Sequence, residues 1–130
     1  VSRRLYGDGH LKVADALSHV GVCFLKKKQL QKAMAKFEEA LEMFVALYGE
    51  NHDTVAGVLM NMAAVLHYRG ESLEGFAMQE KALGIQRRVL GSDHDDVAKS
   101  LLHVGGNYTQ NGMLEEGLAR LEEGLGIVRR

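Results

Sequence analysis

The sequence predicts an all-α fold, a right-handed superhelical solenoid of three helix-turn-helix units with six helices. Three observations carry this. The pattern G-x-x-H-x-x-V-A occurs at Gly7–Ala14, Gly49–Ala56 and Gly91–Ala98, so the glycines step by a constant 42 residues; a fixed step of that size marks a repeat array. The step holds beyond the pattern: Leu17, Leu59 and Leu101 are in phase, as are Ala35, Ala77 and Ala119, Glu38, Glu80 and Glu122, and Leu41, Leu83 and Leu125. Composition is that of helices: no Pro, no Trp and 6% aromatic residues, with Ala, Leu, Met, Glu, Lys and Arg prominent.

In the first unit Val13, Leu17, Val20 and Phe24 step by four, three and four, one apolar face at helical period. Lys26-Lys27-Lys28 ends that face, and Leu30, Ala33, Met34, Phe37, Ala40, Leu41, Phe44 and Val45 begin a second. The helices are expected near 11–27 and 30–47, then 53–69 and 72–89, then 95–111 and 114–129. Gly70 and Asn111-Gly112 mark turns inside units two and three, because Gly accepts the left-handed conformation that ends a helix. Gly7, Gly49 and Gly91 are expected to end second helices, with Asp53 and Asp95 in the first turn that follows and Arg87-Arg88 and Arg129-Arg130 near helix C-termini, as the helix dipole favours. The whole chain, 1–130, reads as one array with units at about 11–47, 53–89 and 95–130. Residues 1–6 read as the tail of a preceding unit, since Val1–Arg4 is in phase with Ile85–Arg88 and Ile127–Arg130. The expectation is a segment cut from a longer array, its last unit lacking a polar cap and therefore exposing apolar surface.

Sixteen basic residues against seventeen acidic give a net charge of −1, which predicts no strong attraction to nucleic acid or to an anionic membrane. No apolar run approaches the length of a membrane span. The single cysteine, Cys23, excludes an intrachain disulfide, and the mild expectation is a cytoplasmic protein.

Leu17, Val20-Gly21, Phe24, Ala33, Phe37 and Ala40 fall at the spacings of W-x₂-L-G-x₂-Y…A-x₃-F-x₂-A, with Leu for Trp and Phe for Tyr. The chain therefore resembles the tetratricopeptide repeat (TPR) family. The usual repeat is about 34 residues; the 42-residue step here is similar to the longer variant of kinesin light chains, also found in sensor arrays of signalling nucleotide-binding (STAND-type) proteins. That variant carries Pro after the motif His, where this chain has Leu11, Asp53 and Asp95. Gln79 stands for a core aromatic, and Gly75, Gly117 and Gly124 stand for alanines, each replacement expected to cost about 0.5–1 kcal/mol in a helix interior. The glycine-rich third unit is expected to be the weak end.

The resemblance implies a protein–protein interaction module that holds an extended peptide on a concave face lined by first helices. Aligned to the family pattern, the peptide-binding candidates are Ser18, His19, Val22 and Lys26 in unit one, Met60, Asn61, Ala64, His67 and Tyr68 in unit two, and Lys99, Leu102, His103 and Gln110 in unit three. His19, Asn61 and His103 form one column, and the Asn side chain offers both a donor and an acceptor to a peptide backbone. The expected partner is a protein or peptide of mixed polar and apolar character, bound more tightly on acidification if it is acidic. The alternative is a structural spacer or sensor segment with no ligand of its own, its exposed ends self-associating end to end.

Other chemistries find no support. His10, His52 and His94 lie one per unit, too far apart to share a metal ion with bonds near 2 Å, and a loop hydrogen bond or packing at the next helix start explains their recurrence better. Cys23 and His19 share a helix face, but the residues supply no orienting group or oxyanion site, and a buried, inert cysteine is expected. Lys26-Lys27-Lys28 reads as a solvated helix end. No phosphate-binding loop, dinucleotide fingerprint, H-E-x-x-H or Cys pair occurs, so the reading is of a non-enzyme with no cofactor and no metal.

Overall fold

A 42-residue unit can bury its apolar faces only by pairing its two helices and stacking on the next pair. The computed structural model describes residues 8–130, with side chains from His10 onward, and shows that arrangement. Six helices follow in order: α1 (Asp8–Lys26), α2 (Leu30–Tyr48), α3 (Asp53–Tyr68), α4 (Ser72–Leu90), α5 (Asp95–Gln110) and α6 (Leu114–Val128). No strand occurs among the described residues. The pairs α1/α2, α3/α4 and α5/α6 pack most closely; α2 then packs on α3, and α4 on α5. The expected tail at 1–6 and the helix end at Gly7 lie outside the described residues.

The turn inside each unit is built the same way. Lys28, Gly70 and Gly112 share one phase and all have positive φ, at 64°, 83° and 82°. The next residue donates its N–H to a carbonyl five residues back: Gln29 to Phe24, Glu71 to Leu66 and Met113 to Tyr108. This closes the first helix and frees the chain to start the second. The strained position is Lys28, which lacks the freedom of glycine.

Between units Gly49 and Gly91 end α2 and α4 at φ 84° and 95°. His52 and His94 then cap the next helix, Nδ1 accepting from the N–H of Thr54 at 3.1 Å and of Asp96 at 3.0 Å. This is the loop hydrogen bond expected of the recurring histidines, and it requires an imidazole unprotonated at Nδ1. His10 departs from the pattern. It lies within α1, which already includes Asp8, so it is not an N-cap. Among the described residues no cluster of three or more His, Cys, Asp or Glu is placed to hold a metal ion.

The core forms two clusters. In one, Phe37, Phe44, Met43, Val55, Val58, Leu59, Met62, Ala82 and Ile85 are buried; in the other, Phe76, Leu83, Val97, Leu101, Val104, Tyr108 and Ile127. Met60 packs against both.

Two sequence expectations are corrected. Gly117 and Gly75 are points of close approach between paired helices, and alanine would not relieve them. A Cβ on Gly117 would lie 2.5 Å from Thr109 Oγ1 and 3.0 Å from the Gly105 carbonyl oxygen, and one on Gly75 3.0 Å from the His67 ring and 3.2 Å from the Ala63 oxygen. Gly124 is similarly tight, with Leu102 at 3.0 Å. The helix-propensity cost is real, but the missing methyl is what lets the backbones meet. Cys23 is the other correction: it is exposed, not buried.

Candidate functional site

Where the second and third pairs meet, the first helices and the start of α4 enclose a cavity of about 380 Å³. Met60, Ala64, His67 and Tyr68 come from α3, Ser72 and Gln79 from α4, and His103, Asn107, Gln110 and Asn111 from α5 and its C-cap. Helical spacing explains the grouping: Met60, Ala64, His67 and Tyr68 recur every three or four residues along one face of α3, as His103, Asn107 and Gln110 do along α5. The cavity lining contains no Asp, Glu, Lys or Arg. It offers carboxamides and imidazoles over an apolar patch of Met60 and Ala64, suited to a neutral group with hydrogen-bonding edges.

Six of the thirteen residues singled out in the sequence meet here: Met60, Ala64, His67, Tyr68, His103 and Gln110. Ser18, His19, Val22, Lys26, Asn61, Lys99 and Leu102 do not line the cavity. His19 Nδ1 lies 2.8 Å from the Asp15 carbonyl oxygen on its own helix. The Ser18 hydroxyl is buried with no hydrogen-bond partner. Val22 packs on the first core cluster, and Leu102 lies against Gly124. Ser72, Gln79, Asn107 and Asn111 complete the cavity but were not singled out as binding residues. For Asn107 a signal was present, since it lies four residues after His103 on the same face.

His67 has a positioning role. Its Nε2 lies 3.0 Å from Gln79 Oε1, its Nδ1 3.3 Å from Ser72 Oγ, and its ring meets Phe76 edge-on at 4.7 Å. With Gln79 Oε1 as acceptor, His67 donates from Nε2 and accepts from Ser72 at Nδ1. Gln79 is almost fully buried at a phase where units one and three carry Phe37 and Leu121. Its partner is His67, so the polar residue in the core is a satisfied one.

Behind the cavity Tyr108 stacks on Phe76 with centroids 4.0 Å apart, and its hydroxyl donates to Glu80 at 2.9 Å. Arg120 donates to both Glu80 oxygens at 2.9 Å, a bidentate pair. Burial first, and the Glu80 hydrogen bond second, push the Tyr108 phenol up to about 12. The hydrogen bond to Glu80 is also the main reason that the Arg120 guanidinium holds its proton more firmly than usual.

No described helix is long and apolar enough to cross a membrane. Comparison with known proteins places this architecture. A tetratricopeptide repeat family model matches residues 54–130. No curated protein matches in sequence. Among solved structures, BtubC (BKLC) from P. vanneervenii superposes with a TM-score of 0.82 at 23% identity, over 91% of this chain and 47% of its own. A Podosopora anserina protein, described as a kinesin light chain with nearly identical TPR-like repeats, gives 0.79 at 18% identity, over 96% of this chain and 58% of its own. The TPR domain of Arabidopsis FLU gives 0.75 at 19% identity, over 92% and 98%. The chain thus spans about half the length of the first two, and these likenesses establish the fold. With the family model covering its second and third helix pairs, the chain belongs to the tetratricopeptide repeat family, whose members generally serve as protein-interaction modules.

Proposed function

We infer that the chain binds an extended peptide segment of a protein partner along the face formed by α1, α3 and α5, and acts as a scaffold, not a catalyst. The cavity between α3, α4 and α5 carries the inference. Its lining of Asn107, Gln110, Asn111 and Tyr68 over Met60 and Ala64 supplies donors and acceptors with an apolar floor. A peptide backbone or a carboxamide side chain fits that chemistry, and the absence of charged residues from the lining favours an uncharged group there. Asn61, Lys99, Leu102, Ser18, His19, Val22 and Lys26 would meet the rest of a segment running across the units. An exposed free thiol at Cys23 suits a reducing, cytoplasmic setting.

A displayed-peptide screen followed by NMR shift mapping tests the reading. Shifts clustered on Met60, Ala64, Tyr68, His103 and Asn107, with affinity lowered about fivefold to thirtyfold by Asn107→Ala, are expected for one or two lost hydrogen bonds. Ligands whose shifts avoid these residues would refute it.

A further inference from the structure

One position of the repeat is filled at the second internal junction and open at the first. Between units two and three, Phe76 stacks on Tyr108, and Glu80 accepts two hydrogen bonds from Arg120 and one from the Tyr108 hydroxyl, each at 2.9 Å. One repeat step earlier the same phases carry Met34, Leu66, Glu38 and Met78. These side chains form neither a ring stack nor an ion pair with one another, and α2, α3 and α4 enclose a cavity of about 530 Å³ there. Met34, Met62, Leu66 and Met78 supply its apolar lining. The remaining walls carry three carboxylates, Glu38, Glu71 and Glu74, against one guanidinium, Arg69, which is already paired with Glu71 at 3.2 Å. Glu38 makes no hydrogen bond or ion pair among the described residues. Both units of this junction lie within the chain, and Met78 stands where Arg120 closes the other one, so the opening is a property of these side chains.

We propose that this cavity binds an arginine side chain of a partner protein, its guanidinium pairing with Glu38 as Arg120 pairs with Glu80. The occupant follows from the chemistry of the walls. A carboxylate beside thioethers and a leucine suits a cation carried on a long apolar stem. Methionine adapts its shape to such a stem. Charge complementarity points the same way, since Arg69 is held by Glu71 and leaves Glu38 and Glu74 to attract a cation. Arginine is favoured over lysine, because a guanidinium is weakly hydrated and makes two parallel hydrogen bonds to a carboxylate, whereas an ammonium is a compact, strongly hydrated charge. The bidentate Glu80–Arg120 pair supplies the template at the same phases of the repeat. This cavity shares no lining residue with the one between α3, α4 and α5, so it stands or falls independently of peptide binding there.

Methionine-methyl NMR of the chain tests this, because Met34, Met62 and Met78 line the cavity while Met43, Met60 and Met113 do not. The probes are acetyl-Leu-Arg-Leu-amide and its lysine and citrulline counterparts, citrulline being the uncharged isostere of arginine. The expected result is saturable shifts at Met34, Met62 and Met78 with the arginine peptide, and binding about threefold to fivefold weaker for the other two. Glu38→Gln should weaken the arginine peptide by about the same factor, and since Glu38 is exposed the fold tolerates the change. Met78→Arg supplies the guanidinium from within. It should close the cavity as Arg120 closes its own, abolish binding and raise the thermal midpoint. No saturable shift, shifts confined to Met60, equal affinity for the arginine and citrulline peptides, or undiminished binding to either variant would overturn the proposal.

Discussion

The two internal junctions are made from one repeat and each has an apolar cluster, but the second is reinforced by polar contacts. Between units one and two the contact is apolar: Phe44 and Met43 of α2 share a cluster with Val55, Val58, Leu59 and Met62. Between units two and three, α4 presents Gln86 at the phase of Phe44, its Oε1 buried without a partner. An unsatisfied buried acceptor costs about 1–3 kcal/mol. Phe76 and Leu83 still pack with Val97, Leu101 and Val104, and polar contacts add to them: the bidentate Glu80–Arg120 pair, the Tyr108–Glu80 hydrogen bond, and Arg87 with Glu123 at 2.7 Å. The lesson is that a repeat conserves where helices meet, not what holds them, so neighbouring junctions can respond differently to salt and pH.

The sharpest way to break the comparison is Phe44→Ala, which should cost about 3–5 kcal/mol by transfer and cavity terms, with little dependence on salt. Denaturant melts at two ionic strengths measure this; a salt-sensitive loss would contradict an apolar junction. Glu80→Ala should cost about 1.5–3 kcal/mol, because two charge-assisted hydrogen bonds from Arg120 and one from Tyr108 lose their acceptor. Its penalty should shrink in high salt, and hydrogen exchange should show α5 and α6 losing protection before α1 and α2. Uniform loss of protection would mean that the junctions do not differ.

The glycines sharpen the picture through sign. Gly117→Ala should destabilise by about 1–3 kcal/mol by forcing Thr109 and the Gly105 backbone away. Gly57→Ala, whose Cβ meets nothing within 4 Å, should stabilise by about 0.5–1 kcal/mol. Thermal melts of the pair decide this, and equal signs would defeat the close-approach account.

The smallest effect is alkaline. The Tyr108 phenol is raised to about 12 from an ordinary value near 10, so the folded state keeps a proton that the unfolded state has lost. Its contribution to stability is complete below about pH 10 and is lost as pH rises through 12. In an absorbance titration of the four tyrosines, one should ionise last, and Tyr108→Phe should remove that phase.

Much of this was legible in the residues, because helix pairing and the 42-residue step depend on local periodicity and turn chemistry. The helix ends at Tyr48, Tyr68 and Gln110 fall within a residue of expectation. Recurrence pointed to a local role for His52 and His94, a loop hydrogen bond or packing, and the structure makes it a helix cap. Their partners are two residues away, and local contacts leave a local signal. The cavity was half legible. Met60, Ala64, His67, Tyr68, His103 and Gln110 come together, but Ser72 and Gln79 enter from α4, and no spacing within α3 or α5 points to them.

The sequence by itself determined the all-α repeat, its period, its turns and the phase of each helix, because these follow from backbone preferences and from which residues share a helix face. Tertiary structure decided the meaning of the exceptions. Gln79, a defect by pattern, is the partner of His67; Gly117, a weak helix former by propensity, is the residue that lets α5 and α6 touch. Val13 and Leu118 have the chemistry of core residues and remain exposed, since burial is set by the presence of a neighbouring helix and not by the side chain alone.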